Sequence, residues 1–167
     1  MSNNLPAANE RLLKKFLRTF PKKIKKVLFI NPPDGDSKLF NRKTADVGRY
    51  PNYPPYGIGC ISTKLLKSKI DVKILNLNHE ILKECKENKK FDYDNFWQKK
   101  IDETLKDFNA DIIGVGCMFT MTHLSLKNVC KYVSKFKLPI SIGGVHVTND
   151  CFNVIEEMPF VNMAFLK

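Results

Sequence analysis

The strongest constraint on the fold is the stretch between residues 110 and 148. It holds an apolar run at Asp111–Cys117, a helix-patterned segment at Leu124–Phe136 and a second apolar run at Pro139–Ile142, stopped by Gly143–Thr148. Two short apolar runs separated by one amphipathic helix indicate a βαβ unit with parallel strands. In open sheets of this kind, ligands bind outside the carboxyl ends of the strands. The turns at that edge are therefore the first place to look for a functional site.

The remaining elements extend this unit to a complete sheet. The patterns predict three more strands (Lys26–Asn31, Asp71–Leu77 and Val161–Leu166) and three more helices (Pro55–Ser68, Tyr93–Phe108 and Asp150–Met158). Within the first of these helices, Ile58, Ile61, Leu65 and Leu66 are expected to face inward. We predict an α/β fold: a doubly wound, parallel, five-stranded sheet with helices on both faces. The long polar loop Asp34–Tyr53 leaves the first strand at its carboxyl end, where it can fold over a ligand. Lys83–Asp92 is expected to be solvated, and His79 to be an exposed loop residue.

Basic charge is concentrated at the start of the chain. Eight Lys or Arg residues against Glu10 alone give residues 1–26 a net charge of +7, out of +11 for all 167 residues. We predict a basic N-terminal extension over residues 1–22, with an amphipathic helix that is capped by Asn9 and ended by Pro21, followed by one domain over residues 23–167. Its apolar stripe would pack on the domain or on a missing neighbour. Contact with a membrane or an acidic partner is the alternative.

Composition excludes several classes of protein. No apolar run approaches the roughly 18 residues of a membrane span, and the first thirty residues lack a signal-peptide core. The five cysteines show no metal-site spacing, so reduced thiols and a cytoplasmic location are expected. Because the excess positive charge lies at one end, no nucleic-acid-binding face is predicted.

Small and hydroxyl residues mark the predicted sheet edge. Thr120 and Thr122 near the third helix can offer hydroxyls beside unpaired backbone N–H groups, which suits phosphate or amide groups; ordinary N-capping by Thr122 is the alternative. Gly143-Gly144 leaves a second turn without bulk at the same edge. Gly57 and Gly59 do not form a dinucleotide-binding fingerprint, because some 25 residues separate them from the first strand.

Four motifs, taken in order, resemble a known family. They are VLFINPP at residues 27–33, YPPYGIG at 53–59, ADIIGV at 110–115 and IGGVHVT at 142–148. Together they are similar to the N-terminal cobalamin (vitamin B12)-binding domain of cobalamin-dependent radical S-adenosylmethionine (SAM) enzymes. The resemblance covers roughly residues 24–167 and implies a Rossmann-like (flavodoxin-like) domain.

The resemblance implies that base-off cobalamin is bound at the carboxyl edge of the sheet. The implied cofactor-binding residues are Asn31, Pro32, Pro33, Pro55, Gly57, Gly116, Cys117, Met118, Thr120, Thr122, Gly143, Gly144, His146 and Thr148. The chain would be a non-catalytic module, part of an enzyme that is most often a methyltransferase acting on a small molecule. Its partner would be a radical SAM catalytic domain, on the same or a separate chain, which holds the 4Fe-4S cluster and S-adenosylmethionine. That domain and the final helix of the fold are expected to be absent from this chain.

The chain departs from the classical cobalamin signature. The loop after the first strand reads Pro32-Pro33-Asp34-Gly35-Asp36 and contains no histidine, so it cannot supply a lower axial ligand. Three roles stay open for His146: an axial ligand, a polar group that orients the nucleotide tail or the Gly-Gly turn, or an ordinary loop or interface residue. We expect His123 to be only a helix-start residue.

Two other functions are compatible with the sequence. One is a cofactor-free flavodoxin-like protein-interaction domain whose Lys-rich arm binds a partner. The other is a flavin- or nucleotide-binding domain that uses Thr120 and Gly143-Gly144 to hold phosphate. A phosphorelay receiver is disfavoured, because the third strand ends in Cys117 and not in a phosphoacceptor aspartate.

Overall fold

A computed structural model describes residues 7–20 and 23–166. The strands are β1 (Lys26–Asn31), β2 (Asp71–Asn76), β3 (Ile112–Gly116), β4 (Ile140–Gly143) and β5 (Met163–Phe165). The helices are α1 (Ala7–Thr19), α2 (Arg42–Asp46), α3 (Tyr56–Lys67), α4 (Leu77–Glu87), α5 (Tyr93–Phe108), α6 (His123–Val133), α7 (Val145–Asn149) and α8 (Cys151–Glu157). None of the helices in these two ranges has the length and apolar content needed to cross a membrane.

The five strands form one parallel sheet in the order β2-β1-β3-β4-β5. The predicted α/β fold, with an all-parallel sheet and helices on both faces, is confirmed. The chain reverses its direction of winding between β1 and β3, which is the switch point where ligands bind in doubly wound sheets.

The main core lies between one sheet face and five helices. Leu28 and Ile30 of β1 and Ile113 of β3 point to this side and are fully buried. They pack against apolar residues from α4, α5, α6, α7 and α8, which include Ile81, Trp97, Ile101, Leu126, Val147 and Val154. Burial of these side chains on both strands and helices supplies most of the stabilisation.

The opposite face is covered much more thinly. Its buried cluster contains only Phe20, Val27 and Ile112, with partly buried neighbours that include Phe29 and Leu65. The predicted inner face of α3 is therefore partly wrong: Ile61 and Leu66 are exposed, and only Ser62 of this helix is buried. The spacing of leucine and isoleucine shows which side of a helix is apolar. It does not show whether the sheet extends far enough to cover that whole side.

Three local predictions are refined. Lys83 and most of the segment to Asp92 are exposed, as expected, but α4 extends to Glu87 and buries Cys85 in the main core. His79 is exposed, as expected, but lies in that helix. Helix α1 begins at Ala7, so Asn9 is not its cap. The predicted end at Pro21 falls outside the described residues.

One carboxylate joins the beginnings of β1 and β3. Asp111 Oδ2 accepts hydrogen bonds from the backbone N–H groups of Lys25, at 2.7 Å, and Lys26, at 2.9 Å. The Lys26 carbonyl in turn accepts from Asp111 N at 2.9 Å. Asp111 therefore fixes the register of the two central strands.

We expect Asp111→Ala to lower the free energy of unfolding by about 1.5–3 kcal/mol, because two backbone donors lose a charged acceptor. Urea denaturation followed through the fluorescence of buried Trp97 measures the change. Asp107→Ala, which removes an exposed carboxylate from the last turn of α5, is the matched control and should change stability by less than about 0.5 kcal/mol. Equal losses in the two variants would contradict the role of Asp111.

Candidate functional site

The ends of β3 and β4 meet at the carboxyl edge of the sheet. Cys117 N donates to Gly143 O at 2.8 Å, and His146 N donates to Cys117 O at 3.3 Å. Between these bonds Gly144 has a φ of +116°. A Cβ at Gly144 would lie 2.2 Å from Cys117 O, so only glycine fits this close backbone contact.

The predicted turn after β4 is a helix start instead. Helix α7 begins at Val145, immediately after Gly144, so His146 and Thr148 lie on a helix and not in an open loop. Thr148 Oγ1 donates to Gly144 O at 3.1 Å. Both polar side chains of this segment are therefore used inside the fold, and the exposed parts are Gly144 and Val145.

A lane of small residues runs along the thinly covered face over β3 and β4. Strand alternation places Gly114, Gly116, Ser141 and Gly143 on this side. The Phe29 ring lies over Gly114, 2.6 Å from where a Cβ would stand, and Ile58 of α3 lies 3.1 Å from that position at Gly116. At Gly143 only atoms of Phe165 come within 4 Å. The lane is thus filled near β1 and shallow near β4.

An apolar rim borders the same edge. Met118, Phe119 and Met121 after β3 are exposed, and so is Val145 after β4. Across the edge, Tyr56 at the start of α3 is 80% exposed. Apolar side chains grouped around glycine backbone form a surface on which a flat, partly apolar molecule can lie.

Amide side chains hold the loop after β1. Asn31 Nδ2 donates to Asn76 Oδ1 at 3.1 Å, joining the ends of β1 and β2. Asn78 accepts from Asp34 N at 3.3 Å and donates to Pro51 O at 3.0 Å, so it ties both ends of the loop to α4. Burial raises the pKa of the Asp34 carboxyl. The loop is anchored beside the edge.

Hydroxyl and thiol groups after β3 are turned inward. Thr122 is buried and donates to Phe119 O at 2.7 Å, while Cys117 Sγ lies 3.2 Å from Thr122 Oγ1. Thr122 occupies the N-cap position of α6 but makes no side-chain cap bond. Burial raises the pKa of the Cys117 thiol. Neither group is free to contact a ligand in this arrangement.

A chain of four polar side chains crosses from α6 to α8. Lys127 Nζ donates to Glu157 Oε2 at 2.7 Å, and His123 Nε2 lies 3.3 Å from the same oxygen. His123 Nδ1 lies 2.9 Å from His146 Nε2. We call these four side chains the relay. Three of them, His123, His146 and Glu157, line a cleft of about 460 Å³ together with Thr120, Asp150, Asn153 and Glu156.

With both rings neutral, one pair of tautomers satisfies these contacts. Glu157 accepts from His123 Nε2–H, and His123 Nδ1 accepts from His146 Nε2–H. His146 Nδ1 then carries a lone pair, and it is enclosed without a hydrogen-bond partner in the described part of the chain. Burial, and secondly the neighbouring His123, lower the pKa of His146. Lys127 first, and then His123, lower the pKa of Glu157.

The structure thus divides the fourteen sequence-predicted site residues into three groups. Gly57, Met118, Gly144 and Thr120 are exposed, and Thr120 lines the histidine cleft. The half-buried residues are Asn31, Pro55, Gly116, Gly143 and Thr148, and the buried residues are Pro32, Pro33, Cys117, Thr122 and His146. The partnership of His123 and Glu157 with His146 was missed. Its members are 23 and 34 residues apart in the pairs that touch, so no local motif signals it.

No group of three or more His, Cys, Asp or Glu side chains within residues 7–20 and 23–166 is arranged to hold a metal ion. Comparison with known proteins gave neither a matching family model nor a matching curated protein. The geometry of the site therefore carries the functional argument.

We expect Gly144→Ala to lower the free energy of unfolding by about 3 kcal/mol or more, because the added Cβ meets Cys117 O and the φ is unfavourable. Gly143→Ala is the matched control. The added Cβ would make only ordinary contacts with Phe165. The free energy of unfolding of this variant should therefore stay within about 1 kcal/mol of that of the parent protein. Chemical denaturation of both variants tests the contact, and a mild effect of Gly144→Ala would contradict it.

Stability should fall as the pH is lowered through the histidine range. The folded pKa of His146 is depressed, so its contribution is complete above the unfolded value of about 6.5 and is lost as pH falls towards the folded pKa. Because one proton is involved, the free energy of unfolding can change by at most about 1.4 kcal/mol per pH unit. Chemical denaturation at pH 7.5, 6.5 and 5.5 measures this change.

His146→Gln should flatten this pH dependence, since the amide keeps a donor towards His123 but does not titrate. His79→Gln is the matched control, because His79 is exposed and its Nδ1 lies 3.0 Å from the Nδ2 of Asn52, outside the relay. An unchanged slope in His146→Gln would show that other groups set the acid sensitivity.

Proposed function

We propose that this domain binds base-off cobalamin across the carboxyl edge of its sheet and serves as the cofactor module of a radical SAM enzyme. The observation that carries the proposal is the pairing of an exposed apolar rim with glycine backbone at the ends of β3 and β4. A broad ring system that is apolar on its faces requires such a surface. Three of the four sequence motifs, at residues 27–33, 53–59 and 142–148, reach the same edge.

The residues present fit the cofactor in two respects. The rim of Met118, Phe119, Met121 and Val145 offers apolar contact for a large ring. The shallow part of the lane, at Gly143, offers space beside the sheet for a nucleotide tail. The buried relay gives His146 a different task from that of a free axial ligand, since its Nε2 is held by His123.

This chain's own residues would bind, orient and shield the cofactor. The anchored loop after β1 can exclude water from the edge, because Asn78 holds it at both ends. When bound, cobalamin would supply methyl-transfer chemistry, as cofactors generally carry the difficult step. The iron–sulfur cluster, S-adenosylmethionine and the small-molecule substrate would belong to the partner domain.

We expect the purified chain to retain stoichiometric cobalamin when it is mixed anaerobically with hydroxocobalamin and desalted. The visible spectrum measures retention, and its change on reduction should be that of base-off cobalt. Gly143→Val should weaken binding by at least about tenfold, because the branched side chain fills the shallow lane. Met121→Glu should weaken it by about fivefold, because it places a charge on the rim.

Leu66→Glu is the matched control for Met121→Glu. Both side chains are exposed and apolar, but Leu66 lies in the last turn of α3, near the amino edge of the sheet, and its replacement should leave retention unchanged. A folded sample that retains no cobalamin would contradict the proposal. Retention of a flavin instead would favour a flavin-binding domain.

A further inference from the structure

The apolar stripe of α1 extends beyond the domain to which it is attached. Phe20, just after the helix, is 8% exposed and packs with Val27 and Ile112. On the same side of the helix, Leu13, Phe16 and Leu17 are 49%, 43% and 56% exposed. The described part of the chain therefore anchors this stripe at one end and leaves the rest uncovered.

Basic residues occupy the other side of α1. At about 100° per residue, Lys14 falls on one flank of the stripe, and Arg11, Lys15 and Arg18 fall on the back. Glu10 is the only acidic residue of the helix. Exposed Lys23 and Lys25 follow in the connection to β1.

We propose that α1 binds the surface of an anionic lipid bilayer, with Leu13, Phe16 and Leu17 inserted at the level of the headgroups. Lys14, on the flank, can extend its alkyl chain along the stripe and place its ammonium group among lipid phosphates. A helix that lies on an anionic bilayer has its apolar side embedded and a polar side rich in Lys and Arg, which the extended negative surface attracts. The uncovered apolar stripe of α1 and its polar side, on which Arg11, Lys15 and Arg18 outnumber Glu10, match this pattern.

The position of α1 is compatible with a working ligand site. Phe20 contacts the first residues of β1 and β3, and Thr19 borders a cleft beside Pro139 and Ile140, so the helix leaves from the amino edge of the sheet. The apolar rim lies at the opposite, carboxyl edge. A domain held to a bilayer through α1 would keep its carboxyl edge turned towards the aqueous phase.

Vesicle sedimentation of the full chain tests the proposal. We expect the chain to sediment with vesicles of 70% phosphatidylcholine and 30% phosphatidylglycerol and not with pure phosphatidylcholine, and to be released by 0.5 M NaCl. Leu13→Gln/Leu17→Gln should lower the partition coefficient by at least about tenfold, because it removes apolar insertion without changing charge. Lys14→Gln/Lys15→Gln should lower it by a similar factor.

Matched variants on the far side of the domain serve as controls. Leu39→Gln/Met121→Gln removes two apolar side chains that are more exposed than those of α1, and Lys89→Gln/Lys90→Gln removes two exposed charges. Both should sediment like the parent chain, with Trp97 fluorescence confirming that every variant is folded. Absence of anionic vesicle binding, equal binding to both lipids, or equal losses in control and test variants would overturn the proposal. Capture on immobilised polyglutamate without vesicle binding would overturn it in favour of an acidic protein.

Discussion

The backbone contact between Gly144 and Cys117 is the constraint on which the rest of the carboxyl edge depends. Because Gly144 has no Cβ, the chain can cross the end of β3 immediately after it leaves β4; a Cβ at this position would clash with Cys117 O. This crossing starts α7 one residue later and places His146 N on Cys117 O. It also leaves Val145 beside the exposed segment after β3, which completes the apolar rim. One steric requirement thus shapes both the backbone floor of the candidate site and the attachment of the histidine relay.

The two faces of β3 and β4 carry side chains of very different size. Large side chains such as Ile113 and Ile142 fill the main core and are fully buried, whereas their neighbours on the other face are Gly114, Ser141 and Gly143. Small residues on β3 and β4 reduce the apolar area that this face can bury, and with it the stabilisation from packing. The space that these small residues leave above β3 and β4 is available to a ligand or to another structural element.

Much of the fold could be predicted from the sequence, because continuous apolar runs and helical spacing are local signals. The five strands and their parallel arrangement followed from such runs. Helix α4 was missed because its Lys- and Glu-rich outer face masks the helical spacing of buried Leu77, Ile81 and Cys85. The relay could not be predicted, since His123, His146 and Glu157 meet only after β4 has been placed beside β3. The inward turn of Thr122 was equally hidden, because a capping threonine and a buried threonine look alike in sequence.

The relay explains why polar groups can be enclosed so near an edge that is otherwise apolar or glycine-rich. A buried imidazole is destabilising unless it has partners, and here Glu157 orders two rings in succession while Lys127 balances its charge. The bonds connect α6, which follows β3, to α7 and α8, which follow β4. They therefore hold together the two segments that carry Met118 and Val145. If the carboxyl edge binds a large ring, its apolar surface must be rigid before the ligand arrives, because ordering mobile side chains would oppose binding. The relay supplies that rigidity by joining α6 to α7 and α8, and its charged members, Lys127 and Glu157, are not rim residues.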